Sequence, residues 1–206
     1  WLTYQRLSEH SVATVPTQRL VDFTYTSGEW ILKPLDGVGC EASYLVTNKQ
    51  DFATLTASLK KEKYLIQPHI HGEKTSLCCL FKQGQAWLLC ANRQHFELIN
   101  KQYRLAGITV NGLSDTPCYK ALAQAIAKAM PDLWGYAGID LVETADEILV
   151  LEINPRLTTS YVGIHEALGV NCAKASLDLL AGNPHLQATH NQSVYLNLKR
   201  EDNDAR

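Results

Sequence analysis

No stretch of this sequence approaches the roughly 20 consecutive apolar residues that a membrane-spanning helix requires, and Trp1 to Arg6 shows no basic segment leading into an apolar one, as a secretory signal would. An excess of one charge is also missing: 19 Lys and Arg stand against 21 Asp and Glu, a formal net charge of -2. That balance leaves no electrostatic footprint for nucleic acid. The expectation is therefore a cytoplasmic protein with neither nucleic acid nor a membrane as partner. The six cysteines (Cys40, Cys78, Cys79, Cys90, Cys118 and Cys172) show no C-x-x-C spacing, and several sit in apolar strand-like runs, so reduced, buried thiols are expected. There is no internal repeat and no low-complexity tract. An initiator Met is absent as well, and the chain opens inside a helix-like segment, Trp1 to His10, which reads as a fragment.

What is present is an ordinary globular composition, 46% hydrophobic and 19% charged over 206 residues, sufficient for one large domain or for two small lobes sharing a cleft. After a turn near Pro16, strands are expected at Glu29 to Lys33 and Ala42 to Val46, joined by a glycine-bearing loop. Asn48 or Asp51 can cap a helix running to about Lys61, with Phe52, Leu55 and Leu59 on one face. A strand at Tyr64 to Gln67 completes a β-β-α-β lobe over residues 16–72, preceded by a lead-in helix within 1–15. Lys74 to Phe81 and Gln85 to Ala91, around a turn at Gly84, are expected to open a second sheet in a larger lobe, 73–192. A helix capped by Asp115 or Thr116 starts at Pro117 and stops at Pro131. Two apolar strands follow, Gly138 to Glu143 and Ile148 to Asn154. Two short helices ending near Gly169 and Gly182 come next, then a final strand and a polar tail over 193–206.

Three polar residues interrupt the apolar hairpin: Asp140, Glu152 and Asn154. Because strand side chains alternate faces, Glu152 and Asn154 point the same way, and a register that sets Asp140 opposite Glu152 gathers all three. Two carboxylates facing each other across a ladder repel unless a cation sits between them or one is protonated. Carboxylate and amide oxygens suit Mg²⁺, which shares its shell with substrate phosphates, so a nucleotide is the implied ligand. Arg156, two residues on, offers a forked donor for phosphate or carboxylate. The bland alternative, a solvated strand edge with a turn at Asn154-Pro155, fits poorly with such apolar neighbours.

Other signals are weaker alone. Gly37 and Gly39 would let backbone N-H groups approach an anion beside Lys33, although glycines in a hairpin loop usually serve only the turn. The connecting segment Gln67-Pro68-His69-Ile70 could read an adenine edge, and Glu73 could accept from a ribose hydroxyl. His69 and His71 lack a convincing third ligand for zinc. Arg93, in a run expected just after a strand, and Arg104, expected in a loop, could each clamp phosphate or a substrate carboxylate; a surface arginine is the default reading for both.

In this order the pieces resemble the ATP-grasp superfamily, an α+β fold in which two α+β lobes with antiparallel sheets clasp ATP. Gly138-Ile139-Asp140-Leu141-Val142 followed by Leu151-Glu152-Ile153-Asn154-Pro155-Arg156 is similar to the family's metal-binding hairpin. The resemblance implies that Asp140, Glu152 and Asn154 ligate Mg²⁺ (or Mn²⁺). It implies also that Lys33 contacts the ATP phosphates, Gly37 and Gly39 form the phosphate-covering loop, Gln67, Pro68, His69 and Ile70 form the adenine hinge, and Glu73 takes the ribose. Catalysis would fall to Arg156 and Lys33, with Arg93 assisting. Asn92-Arg93-Gln94 and the stretch from Asn154 to Tyr161 most resemble the branch holding tyramine-glutamate ligase of methanofuran biosynthesis and the pyrrolysine-pathway ligase. The implied activity is ATP-dependent joining of a small-molecule carboxylate, such as glutamate, to an amine in one-carbon cofactor biosynthesis. The alternatives are ATP-dependent carboxylation with bicarbonate, a non-catalytic nucleotide-binding subunit, or a small-molecule kinase of the same fold. A homodimer is the family expectation, and the family's amino-terminal domain is not visible in the sequence.

Overall fold

The computed structural model describes residues 1–37, 42–114 and 117–199. Helix α1 (Leu2–Glu9) buries Leu7, while Arg6 Nε donates to the Ala129 carbonyl at 2.9 Å. Residues 13–15 then run beside strand β9 (Ile148–Asn154), with Val15 N-H donating to Val150 O at 3.1 Å and Val150 N-H to Ala13 O at 3.0 Å.

Strands β1 (Gln18–Arg19), β2 (Trp30–Pro34), β3 (Tyr44–Val46) and β4 (Tyr64–Pro68) pair antiparallel in the order β1-β4-β2-β3. Their core is Leu20, Leu32, Val46 and Ile66, against which Phe23, Trp30 and Phe52 pack. Helix α2 (Lys49–Thr56) is capped by the Asn48 side chain, which accepts from Asp51 N-H. It stops well before the expected Lys61. Thr54 and Thr56 are β-branched, a poor basis for further turns, yet Leu59 still reaches the same core from the following segment.

Strands β5 (Glu73–Lys82), β6 (Gln85–Ile99), β7 (Gln102–Leu113), β8 (Gly135–Glu143) and β9 form the larger part of the sheet, in the order β7-β6-β5-β8-β9. These strands continue the first sheet: β3 pairs with β7 at Tyr44 and Gln102. Central β5 is buried on both faces. Leu77, Cys79 and Phe81 meet helix α3 (Pro117–Ala129), while Cys78 and Leu80 meet α4 (Tyr161–Leu168) and α5 (Cys172–Ala181). That double burial explains an unbroken apolar run, the pattern of a strand covered on both sides. Strand β10 (Val194–Asn197) pairs with β7.

Two corrections concern loops. The run Asn92-Arg93-Gln94-His95 lies within β6, and Arg104 lies within β7. The hairpin joining them turns on Asn100 and Lys101, both with positive φ (50° and 64°), without the glycine that marks Gln83-Gly84. The four cysteines Cys78, Cys79, Cys90 and Cys172 are buried and free as expected, but Cys118 is exposed. Gly39, Cys40, the helix-capping pair Asp115 and Thr116, and the tail from residue 200 lie outside the described residues.

Gly72, between β4 and β5, has a structural reason to lack a side chain: a Cβ there would lie 2.4 Å from the Glu143 carbonyl oxygen. Backbone cannot yield cheaply at that distance. Gly72→Ala is expected to destabilise the fold by about 1–3 kcal/mol, visible as a lower Tm in thermal unfolding; an unchanged Tm would contradict the close packing of this connection on β8.

Candidate functional site

The β8–β9 ladder sets Asp140 opposite Glu152 and Gly138 opposite Asn154, with a register shift just after Asp140. Flanking Ile139, Leu141 and Val150 are fully buried, so the hairpin is anchored and the polar residues have little freedom to move apart. Asp140 Oδ1 accepts from Gln94 Nε2 at 2.8 Å, and its Oδ2 accepts from Asn154 Nδ2 at 2.9 Å. Arg156 Nη2 donates to Asn154 Oδ1 at 3.0 Å, which leaves that oxygen a second lone pair for a cation. Burial and the neighbouring Glu152 carboxylate push Asp140 up to about 6, against the opposing influence of Gln94, Asn154 and the Lys33 charge. An all-oxygen donor set that strains to hold its negative charge fits a hard divalent cation such as Mg²⁺.

This hairpin forms one wall of a cleft of about 490 Å³. Lys33, Gly37, Gln67, Pro68, His69 and Ile70 line it together with Asp140, Glu152, Asn154 and Arg156, so the structure gathers nearly all the expected site residues. Gln67 and His69 are also engaged within the protein. Gln67 is buried and donates to Thr17 Oγ1 at 2.7 Å; His69 contacts Glu29 Oε2 at 2.8 Å and the Tyr103 hydroxyl at 2.9 Å.

Glu73 and Arg93 are not brought to the cleft. They form an ion pair with each other beyond its lining, while their neighbours Lys74 and Gln94 face the cavity. Strand alternation is the reason: Lys74, Ser76, Gln94 and Asp140 share one face, and Glu73 and Arg93 occupy the other. Arg104 is exposed, and it is Tyr103 and Leu105 on either side that line the cleft.

Several lining residues escaped the sequence reading. Lys74 Nζ donates to Ile70 O at 3.0 Å, and burial pushes its ammonium down. In the sequence Lys74 is the last charged residue before the apolar run of β5, beside Glu73, and only the register of β5 tells the two apart. The turn Thr158-Thr159-Ser160 also lines the cavity, its hydroxyls linked at 3.0 Å between Thr158 and Ser160. Thr158 lies so near β8 that a Cβ on Gly138 would fall 2.4 Å from its methyl carbon, which explains the glycine opposite Asn154.

A hairpin of this register beside such a cleft is what the ATP-grasp resemblance implied, and the family profile described as an ATP-grasp domain matches residues 1–160. The chain belongs to this family. Tyramine--L-glutamate ligase of Methanocaldococcus jannaschii is 31% identical over 120 residues, 58% of this chain and 37% of that protein. The L-amino acid ligase from Bacillus licheniformis has a TM-score of 0.70 at 17% identity, over 85% of this chain and 45% of that one. The biotin carboxylase domain of Hydrogenobacter thermophilus 2-oxoglutarate carboxylase, solved with MgADP, ADP and bicarbonate, has a TM-score of 0.68 at 16% identity, over 91% and 45%. At such identities the two structures attest the fold alone. The ATP-grasp chain described here spans less than half the length of each of these three proteins.

The raised Asp140 carboxyl has a consequence for the metal-free domain. A folded-state value near 6, above the ordinary carboxylate value of 3.8, means that stability present at low pH is lost as pH rises through about 6. Without divalent metal, Asp140→Asn should therefore stabilise the domain at pH 8 by on the order of 2 kcal/mol and have little effect at pH 4. Thermal unfolding at the two pH values checks this; equal effects would contradict it.

Proposed function

We propose that this domain binds ATP with Mg²⁺ (or Mn²⁺) and serves in a carboxylate-amine ligase. The observation that carries the reading is the facing pair Asp140 and Glu152, joined by Asn154 and Arg156 at the wall of a cleft that Lys33 and the 67–70 segment also line. In this reading the adenine lies against Gln67, Pro68, His69 and Ile70, and the phosphates lie toward Lys33, Gly37 and the hairpin. Residues 16–72 and 73–192 act as the two lobes. Mg²⁺ between Asp140, Glu152 and Asn154 would supply charge neutralisation on the phosphate oxygens. Lys33 orients the phosphates as a point charge, while Arg156, held toward the site by Asn154, stabilises the transferring phosphoryl group with its fork.

A substrate carboxylate then attacks the γ-phosphorus of ATP, forming an acyl phosphate and releasing ADP; an amine nitrogen attacks the acyl carbon, phosphate leaves, and the amine proton passes to solvent. No protein nucleophile is needed. The likeness to tyramine--L-glutamate ligase supports glutamate as the carboxylate and a primary amine as its partner. Carboxylation with bicarbonate is the second reading, supported by the likeness to a carboxylase domain solved with that anion. Phosphate release from the whole protein with amino acids plus amines, compared with bicarbonate, separates the two.

Glu152→Gln should lower Mg²⁺-dependent affinity for a non-hydrolysable ATP analogue by more than about 10-fold, roughly the equivalent of 1.4 kcal/mol, with an unchanged circular dichroism spectrum. Calorimetric titration with and without Mg²⁺ reads this directly, and wild-type affinity in the variant would remove Glu152 from the site. Arg156→Lys should retain nucleotide but lose about 10²–10³-fold in turnover of the whole protein; near wild-type turnover would demote the arginine to positioning Asn154.

A further inference from the structure

Outside the hairpin, one group of side chains has ligands of a different kind. Glu29 immediately precedes β2 and His69 immediately follows β4, and the backbone continues the ladder between them, His69 N-H donating to Glu29 O at 2.9 Å. This pairing places the carboxylate against the imidazole. Glu29 Oε2 lies 2.8 Å from His69 Nδ1 and 3.0 Å from His71 Nε2, so both ring nitrogens converge on one oxygen. The two rings are tilted at 61° with centroids 4.4 Å apart. The sequence pattern supplied two histidines and no third ligand, and the fold supplies the third from a residue 40 positions away.

We propose that Glu29, His69 and His71 form a binding site for a borderline divalent ion of the Zn²⁺ or Co²⁺ class at the rim of the cleft. One ligand atom from each residue lies within 4.8 Å of the others. A tetrahedral ion with bonds of about 2.0–2.2 Å holds its ligand atoms roughly 3.3–3.6 Å apart, so the two carboxylate–imidazole spacings of 2.8 and 3.0 Å need only a small outward shift. His71, 78% exposed, is free to make it, while His69, 9% exposed, is fixed.

The fixed imidazole is oriented from behind. Its Nε2 lies 2.9 Å from the Tyr103 hydroxyl, which leaves Nδ1 to face the ion, the arrangement that positions ligating histidines in metal sites. Two imidazoles and one carboxylate leave a fourth position for water. The donor set also separates this site from the all-oxygen hairpin, because imidazole nitrogen favours zinc-class ions whereas Mg²⁺ prefers oxygen. An ion here ties the start of β2 to the 69–71 segment and, through Tyr103, to β7, where His69 and Tyr103 already line the cleft.

The test is calorimetric titration of the chelator-treated chain with Zn²⁺ in excess Mg²⁺, which occupies the oxygen site. It is run beside the visible absorption of Co²⁺ and the ring ¹⁵N resonances of the histidines. One Zn²⁺ per chain is expected, with tetrahedral-type Co²⁺ bands and shifts at His69 Nδ1 and His71 Nε2. His71→Ala should weaken it on the order of 100-fold while leaving Mg²⁺-dependent nucleotide-analogue binding intact, and Glu29→Gln should weaken Zn²⁺ binding by a similar factor. His71 is exposed, so its variant should keep the wild-type metal-free Tm. Absence of Zn²⁺ binding by the wild type, undiminished binding in His71→Ala, or complete displacement of Zn²⁺ by Mg²⁺ would each overturn the site.

Discussion

Like charges held face to face across a β-ladder are the constraint on which the rest of the cleft depends. Asp140 and Glu152 cannot separate, because the strands that carry them are anchored by fully buried Ile139, Leu141 and Val150. The neighbouring groups answer that repulsion. Gln94 and Asn154 each donate to Asp140, Arg156 holds Asn154 from the far side, and the Lys33 charge is felt across the cavity. Even so, Asp140 remains reluctant to ionise. A scaffold that spends stability on an unfavourable pair is typical of a functional site rather than a structural one.

The cleft exists because the smaller set of strands meets the larger through few direct links. β3 pairs with β7 around a single register position, Tyr44 opposite Gln102, the 68–73 connection crosses over Gly72, and residues 13–15 run along β9. The two parts have separate apolar clusters, and the cavity lies between them, with Ile108, Val150 and Ile153 of the larger part reaching its lining. Glu29, His69 and Tyr103 make a polar cross-link at the same boundary, so the segment assigned to the adenine is tied to both parts of the sheet.

Much of this was legible in residue order. Alternation across β8 and β9 was enough to place Asp140, Glu152 and Asn154 together, and Gly169, with φ of 72°, ended its helix where expected. What failed to show was information carried by partners distant in sequence. β7 leaves no turn signal in the sequence because its hairpin uses Asn100-Lys101 instead of a glycine, and without that strand the facing of Arg93 and Arg104 has no local marker. Once both lie in strands, alternation sends them away from the cavity and brings Gln94 and Tyr103 into it. Glu73 and Lys74 show the same one-residue sensitivity: either could face the cleft until β5 has a register. Glu29 could not have been joined to His69 by any local pattern, since their meeting is a product of β2–β4 pairing.

The most direct test of the account is a crystal structure of the chain with ADP and Mn²⁺, using the anomalous signal of the metal. The account predicts a manganese peak between Asp140, Glu152 and Asn154, with the adenine against residues 67–70. Nucleotide bound elsewhere, or a manganese peak away from that hairpin, would contradict it.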